Sequence, residues 1–389
     1  MALGFDVERT YSGRKGDAAL LAATILLFGT GLVVLYSASY GYALSLQKSA
    51  AHFLLRQLSY APMALVIFLV CSFIPIDRLR SVVKPLTLLA LAALLLPFVP
   101  GIGVNKNGAT RWIGIGPRTF QPSQIFRVAL VLYLAYIFSK KGDRMHDVVN
   151  TAVPPLLITA AGCLLVYLQN DFSTAVILVC IAVALFWAAE VPLRFFVALA
   201  SILAPLVLLS VFTSDFRLRR IIGFLYPGYE PTAIGYQVLG SLRAIRAGGL
   251  WGKGIGLGTL KLSSIPEVQS DFVFAAFAEE SGFAGVLLFL GLWGFFLYRG
   301  YRAAFRAEDR FRSFLAFGLS TSLAVQVLVN VAVNAGLLPA TGIPLPFYSA
   351  GGSSFLETAV SCGLLYNLSR NLERPASERR VADGEVAHG

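Results

Sequence analysis

The sequence predicts an all-α protein that crosses a membrane about ten times, and three observations carry that prediction. Of 389 residues, 57% are hydrophobic and the mean hydropathy is +0.71, too apolar for a soluble chain of this length. Apolar runs near the length of about 20 residues that spans a hydrocarbon core recur along the chain. The period-two alternation of a membrane β-barrel is absent, which leaves helices as the means of satisfying the backbone in lipid.

In chain order the runs fall at roughly 18–37, 57–75, 85–100, 124–138, 152–168, 173–189, 193–212, 272–298, 313–333 and 354–368. The first is preceded by Arg9, Arg14 and Lys15, as a signal peptide would be. Its apolar stretch is longer than an h-region of about 7–15 residues and further spans follow, so it is an anchor. Lysine and arginine in short loops set the orientation. With the N-terminus inside, inner segments hold Arg78, Arg80, Lys84, Lys140, Lys141, Arg144, Arg194, Arg299, Arg302, Arg306, Arg310 and Arg312. Together with both chain ends they account for about 19 of the 32 basic residues. The expected organisation is a cytoplasmic segment 1–17, a ten-helix body 18–369, and a cytoplasmic, disordered tail 370–389. A large extracytoplasmic loop at 213–271 separates helices seven and eight.

Cysteine and histidine carry little chemistry. Cys71, Cys163, Cys180 and Cys362 fall within apolar runs, where a thiol packs as a small apolar side chain, and no pairing or zinc spacing is visible. His52, His146 and His388 are scattered and do not meet metal-ligand spacing.

Polar chemistry collects in four segments assigned to the outer side. The first is NKNGATRWIGIGPRTFQPSQIFR at 105–127. Asn107-Gly108 signals a turn, Pro117 and Pro122 punctuate, and Trp112 beside Arg111 suits an interfacial anchor. Arg111 and Arg118 have an ordinary reading as contacts to lipid phosphates. Arg127 falls about one turn inside a span, where a charge faces the protein interior or a water-filled cavity. The second segment is QNDFSTA at 169–175. Asp171 followed by Ser173 and Thr174 suits a helix N-cap; the functional alternative pairs Asp171 with an outer arginine.

The third segment, 213–271, opens with Arg217, Arg219 and Arg220. Arg243 and Arg246 follow, three apart on one helical face. In GGLWGKGIGLGTLK, Lys253 and Lys261 sit among glycines whose amides can cradle phosphate. The stretch lacks GK[ST] and a preceding strand, so a nucleotide P-loop is not supported. It ends at Glu267 and Asp271, two carboxylates at the mouth of an apolar helix that starts at Phe272. A carboxylate at a membrane surface beside clustered cations points to chemistry on an anionic, lipid-borne substrate. Glu279 and Glu280 lie about 12–14 Å further along that helix, deep enough to require partners or a cavity. The fourth segment is TGIPLPFYSAGGSS at 341–354. Its prolines fix an extended backbone, Gly351-Gly352 allow a close turn, and Ser353-Ser354 can cap the final helix.

Six stretches in register, NGATRWI, QPSQIFR, QNDFSTA, GYQ…GG…GKGIGLG, IPEVQSDFVFAAFAEESGFAG and TGIPLPFYSAGGSS, resemble the SEDS family of shape, elongation, division and sporulation proteins. The resemblance runs from about residue 30 to 370. It implies a ten-helix fold and a peptidoglycan glycosyltransferase that polymerises lipid II at the outer face of the bacterial cytoplasmic membrane. It also implies a class B penicillin-binding protein as partner. The wording of IPLPF and KGIGLG…K is closer to the division-type branch, which implies other division proteins and the septum. The family's essential acid matches Asp271, in QSDF where HTDF is usual, and the glutamate of its PE pair is Glu267. The usual QPSE followed by lysine has become Gln124 and Arg127, which implies that any salt bridge between those positions is lost while the cation stays. QPDLGT has become QNDFST, keeping Asp171 and Thr174, and SYGGSS has become SAGGSS.

On this reading Asp271 is the general base for a sugar hydroxyl. Arg111, Arg127, Arg243, Arg246 and Lys253 are the cations available to balance a departing pyrophosphate, with Glu267 and Ser353 also assigned to substrate. Asp171, Gln124, Glu279 and Glu280 are supporting residues. No cofactor is identified; a divalent cation held by Asp271 and a second acid would do the same work, and the sequence does not choose. Lipid II, the nascent glycan strand and membrane lipids are the expected partners, and nucleic acid is not. The polyprenyl tail is expected against the helices near span four or eight. Two other classes remain. A transporter of the same precursor would use Glu279 and Glu280, but no internal repeat is visible. A non-catalytic scaffold would use the basic loop 299–312 and the charged tail.

Overall fold

The computed structural model describes residues 16–106, 108–116, 118–141, 151–226, 234–263 and 268–370. The terminal segments 1–15 and 371–389, Asn107, Pro117 and Glu267 lie outside the described residues. The first half of the chain forms α1 (Ala18–Ser45), α2 (His52–Leu58), α3 (Ala61–Phe73), α4 (Ile76–Ala93), three strands, α5 (Pro122–Lys141), α6 (Val153–Leu168) and α7 (Phe172–Ala188). The second half forms α8 (Leu193–Phe212), α9 (Asp215–Leu225), α10 (Ile234–Gly248), α11 (Leu260–Ser263), α12 (Val273–Phe305), α13 (Arg310–Asn334) and α14 (Gly352–Ser369).

Seven helical stretches among the described residues are long and apolar enough to cross a membrane: α1, α2 with α3, α4 through Phe98, α5, α8, α12 and α13. α6 and α7 are shorter apolar helices. The helical, apolar class read from the sequence is therefore observed. α5 and α13 form the centre, with 78% and 67% of their apolar windows buried, against none for α8. A helix apolar on all sides belongs inside the bundle, and α5 buries Phe126, Leu130, Val131, Leu134 and Phe138 completely.

The sequence boundaries differ from the structure in three places. The second apolar run is two helices that break at Ser59-Tyr60. Arg78, Arg80 and Lys84 occupy the first turns of α4 rather than a loop, because Pro75 starts the helix early. The segment after α4 is a three-stranded antiparallel sheet, not plain loop: β1 (Gly103–Lys106), β2 (Ala109–Ile115) and β3 (Arg118–Phe120) in the order β1-β2-β3. Val104 opposes Trp112 and Ile113 opposes Phe120, with a bulge between Val104 and Asn105. Strands this short and interrupted by turn residues carry too little period-two pattern to be read from sequence.

The two ends of the bundle are built differently. At one end Asp17 caps α1 by accepting from the Ala19 and Leu20 amides, and its carboxylate also pairs with Arg299 of α12. The Asp17 amide donates to Ser369 Oγ of α14, so three helix ends meet at one residue. The opposite end gathers the sheet, the α6–α7 turn, the long segment between α8 and α12, and the loop before α14.

α12 is broken at Gly282, whose φ of 62° and ψ of −168° no helix tolerates. The carbonyls of Glu279 and Glu280 are freed by the break and accept from the Lys253 and Gly254 amides at 3.1 and 3.0 Å. In return the Phe283 and Ala284 amides donate to Gly249 and Leu250 carbonyls at 2.9 and 3.0 Å. The glycine-rich loop thus restores, on both sides of the break, the hydrogen bonds that the helix gives up. The crossing needs glycine on each chain: a Cβ on Gly252 would lie 2.1 Å from the Glu280 carbonyl oxygen, and one on Gly282 would lie 2.2 Å from the Gly252 nitrogen. Below it, fully buried Lys261 pairs with Glu280, which also accepts from Ser37 Oγ of α1.

Removing one charge of that buried pair leaves the other uncompensated. Lys261→Met is expected to destabilise by about 3–5 kcal/mol, read as a lower midpoint of thermal unfolding in detergent. Adding Glu280→Leu to that variant should restore part of the loss. A double variant no more stable than the single would contradict the assignment.

Candidate active site

Asp271 sits one residue before the cap of α12, partly exposed at the sheet-bearing end of the bundle. Burial pushes its carboxyl above its ordinary pKa, opposed by a Ser270 hydrogen bond and by the charges of Arg220 and Arg111. Arg220 lies on α9, a short helix whose charged and apolar residues alternate at helical spacing. Burial pulls the Arg220 guanidinium down from its ordinary value, and repulsion from Arg111 adds to that; the charges of Asp271 and Asp171 oppose both. These four residues therefore share one electrostatic cluster, drawn from the sheet, the α6–α7 turn, α9 and the start of α12.

The cluster is assembled by hydrogen bonds at its rim. Arg111 of β2 donates to Asp171 Oδ1 at 3.1 Å and stacks over the neighbouring Trp112 ring at 4.7 Å. Gln121 Nε2 donates to Asp171 Oδ2 at 2.7 Å, and the Thr174 amide donates to Oδ1 at 3.4 Å. Asp171 thus performs both roles open to it in the sequence, capping α7 while pairing with an outer arginine. The Gln121 amide in turn donates to Ser353 Oγ at 3.0 Å, which ties the start of α5 to the start of α14. Arg217, next to Arg220 on α9, donates to Tyr167 Oη and to the Ser210 carbonyl and hydroxyl, and so anchors α9 to α6 and α8.

Several site assignments change under this geometry. Arg127 is not left without a carboxylate: it forms a buried ion pair with Glu357 of α14, and both side chains are inside the protein. The counter-charge comes from another helix rather than from one turn away on the same one. Gln124 is buried, and its Oε1 has no partner among the described residues. Ser353 and Ser354 do not cap α14, whose capping position is Gly351; Ser353 accepts from Gln121, and Ser354 accepts from Gln326. The glycine-rich loop does bind an anion through its amides, but that anion is the chain's own Glu279. Its carboxylate accepts from Lys253 Nζ at 2.7 Å, from the Thr259 amide at 2.9 Å and from the Leu260 amide at 3.2 Å. Glu280 is likewise consumed by Lys261 and Ser37. Arg243 and Arg246 project from the exposed face of α10, and among the described residues Arg220 and Arg111 are the cations that act on Asp271. Glu267 lies outside the described residues.

Sequence reasoning missed Arg220, Gln121 and Glu357. Arg217 and Arg220 are three apart, the spacing that placed Arg243 and Arg246 on one face, so the signal was present. Glu357 is a lone acid in an apolar run, which by its cost asks for a buried cation. Beside it, a cavity of about 350 Å³ opens between α3, α4, α5 and α14, lined by apolar residues such as Ile67, Leu86, Val128 and Leu364, with Gln124, Ser353 and Glu357 as its polar members.

A helical body apolar enough to cross a membrane, with two acids and two arginines clustered at one end, is a polytopic membrane protein with a charged site at its surface. The family model for FtsW, RodA and SpoVE, described as cell cycle protein, matches residues 18–374, and the chain belongs to that family. It is 35% identical over 360 residues to a probable peptidoglycan glycosyltransferase FtsW of Geobacter sp. (strain M18), covering 92% of this chain and 98% of the relative. It is 34% identical over 354 residues to the stage V sporulation protein E of Bacillus subtilis (strain 168), covering 91% and 97%. Among solved structures it is similar to one in a peptidoglycan synthase complex, with a TM-score of 0.76 and 28% identity over 92% of this chain and 99% of that one. It is also similar to the rod shape determining protein RodA of Thermus thermophilus, with a TM-score of 0.67 and 26% identity over 92% and 98%.

The Arg127–Glu357 ion pair gives a direct test. Glu357→Gln should destabilise by about 3–5 kcal/mol, because Arg127 is then buried without a counter-charge. Adding Gln124→Glu places a carboxylate one turn from Arg127 and should recover most of that loss in thermal unfolding. A Gln124→Glu change that lowers stability further would contradict this account.

Proposed function

We propose that this protein is a peptidoglycan glycosyltransferase that extends glycan strands from lipid II, with Asp271 as general base. The observation that carries the proposal is the position of Asp271: a carboxylate made more basic by burial, at the end of the bundle, facing Arg220 and Arg111. Relatives named as peptidoglycan glycosyltransferases over nearly their whole length support the reaction class. In the step, Asp271 takes the proton of the acceptor hydroxyl as its oxygen bonds to the anomeric carbon of the donor. The bond from that carbon to the pyrophosphate oxygen breaks, and the undecaprenyl pyrophosphate leaves with the electron pair. A positioned base contributes about 10²–10⁴-fold to such a step.

Arg220 and Arg111 are suited to balance the charge that grows on the leaving pyrophosphate. A divalent cation held by Asp271 and a second acid is the alternative source of that charge. Asp171 is ill suited as that acid, because both its oxygens accept from Arg111 and Gln121. Arg127, Lys253 and Ser353 act in this reading through the frame: Arg127 is buried against Glu357, Lys253 braces Glu279 under the glycine-rich loop, and Ser353 accepts from Gln121. The apolar cavity beside α5 is suited to the polyprenyl tail near span four. Glu279 and Glu280, the acids that a transport path would use, are both engaged by lysines, which supports surface chemistry over translocation.

The topology in this reading has ten crossings, counting α6, α7 and α14 as spans, with both termini cytoplasmic. Arg78, Arg80, Lys84, Lys140, Arg194, Arg299, Arg302, Arg306, Arg310 and Arg312 gather at the end opposite the site, which supports that orientation. The solved complex that the chain resembles coordinates polymerization and crosslinking, which supports a class B penicillin-binding protein as partner. Relatives named FtsW support a division role at the septum of a bacterial cytoplasmic membrane.

The test is polymerisation of labelled lipid II by the full chain with its penicillin-binding partner and a transpeptidase inhibitor. Wild type should give glycan ladders and Asp271→Asn should lose at least about 10²-fold in rate. Equal rates would remove Asp271 as the base. The base must be charged, so activity is present above its pKa and falls as pH drops through it. The acid limb should therefore lie above the ordinary carboxylate value. Arg220→Ala should reduce the rate by about 10²-fold and move that limb to higher pH, since a charge that favours the carboxylate is lost.

A further inference from the structure

α12 begins at Val273 with Phe272 in the capping position, and phenylalanine offers no oxygen to the orphan amides of the first turn. The Ala275 amide is shared: it donates to the Phe272 carbonyl at 3.1 Å and to Asn334 Oδ1 of α13 at 3.1 Å. The same side chain turns its Nδ2 to the Asp271 carbonyl at 2.9 Å. Asn330, one turn earlier on α13, donates its Nδ2 to that same carbonyl at 2.9 Å and to the Ile343 carbonyl at 2.8 Å. Both asparagines are buried, and Asn334 Nδ2 also reaches the Asn330 carbonyl at 2.9 Å. Residues four apart on a helix share a face, so two amides of one face converge on the backbone of one residue.

That residue is the one whose carboxylate faces Arg220 and Arg111. The loop held by Asn330 also brings Gly342 against it: a Cβ there would sit 3.6 Å from Asp271 Oδ2, at a φ of +74°. Helix packing alone would be met by small apolar side chains. The pair instead commits three polar groups, one acceptor and two amide donors, to the residues at and just after Asp271.

We infer that Asn330 and Asn334 are positioning residues for Asp271. Asn334 caps α12 from a neighbouring helix, and the two amides fix the Asp271 backbone, which sets where its carboxylate points. The inference rests on Asp271 being the general base.

The experiment is the polymerisation of labelled lipid II by the full chain with its penicillin-binding partner, measured across pH for wild type, Asp271→Asn, Asn334→Leu and Asn330→Ala. Asn334→Leu should lower kcat by about 10²-fold, the loss expected when a reacting group is misplaced by about 1 Å. Asn330→Ala, which keeps the Ala275 cap, should lower it by about 10-fold. KM for lipid II should stay within about twofold for both. The acid limb should move to lower pH, because a carboxylate released from its buried pose returns toward its ordinary value. Loss of folded protein would reduce the amplitude and leave the limb in place. Wild-type kcat, or a lower kcat with an unmoved limb, would overturn the inference. Where Asn334→Leu does not fold, Asn330→Ala decides by the same two criteria. Asp271→Asn at the wild-type rate sinks the base assignment itself; an inactive Asp271→Asn beside wild-type asparagine variants sinks the positioning role alone.

Discussion

A charge next to lipid must carry its partner with it, and the polar end of this bundle is organised by that requirement. Asp171 takes Arg111, Glu279 takes Lys253, Glu280 takes Lys261 and Glu357 takes Arg127. Each pair joins separate segments, from 19 to 230 residues apart in the chain, so neutralising charge and fixing the fold are one operation. Asp271 is treated differently. Among the described residues its carboxylate senses Arg220 and Arg111 without a close ion pair and has a hydrogen bond from Ser270, while Asn330 and Asn334 hold its backbone carbonyl.

The division between frame and reacting groups follows from the same rule. Arg127 and Lys261 are buried with their carboxylates and out of reach of a phosphate, whereas Arg111 and Lys253, each paired with a buried acid, stay partly exposed. Arg220 and Arg111 are shared between two acids and each other, and Arg220 feels both attraction and repulsion. The cluster holds as many acids as cations, so the repulsion between its two guanidinium groups is offset by Asp171 and Asp271.

Much of this was legible in the sequence, in proportion to how local the physics is. The apolar runs, the placement of Asp271 at a helix mouth and the double nature of Asp171 follow from hydropathy and capping chemistry within a few residues. The helical pattern also exposed Arg127 as a cation that needs an interior partner. The partner itself, Glu357, is 230 residues away, and no spacing rule connects the two. The glycine-rich loop reads as an anion cradle because its amides are free in sequence. Only the break at Gly282 reveals that the anion is Glu279. Ser353 looks like a cap because it stands near a helix start; the geometry gives its oxygen to Gln121 instead. Asn330 and Asn334 stand out in an apolar helix, yet what they hold depends on how α12 is docked.

The pairing of α5 with α14 also bears on how the chain is made. Arg127 enters the membrane early in synthesis, whereas Glu357 belongs to the last helix. Until that helix is inserted, the cation at the centre of the bundle lacks its counter-ion, and so does the seam between α5 and α14. A bundle without α14 would hold that cation in its interior unneutralised, so the ion pair makes the packing of α5 depend on a helix far downstream in the chain.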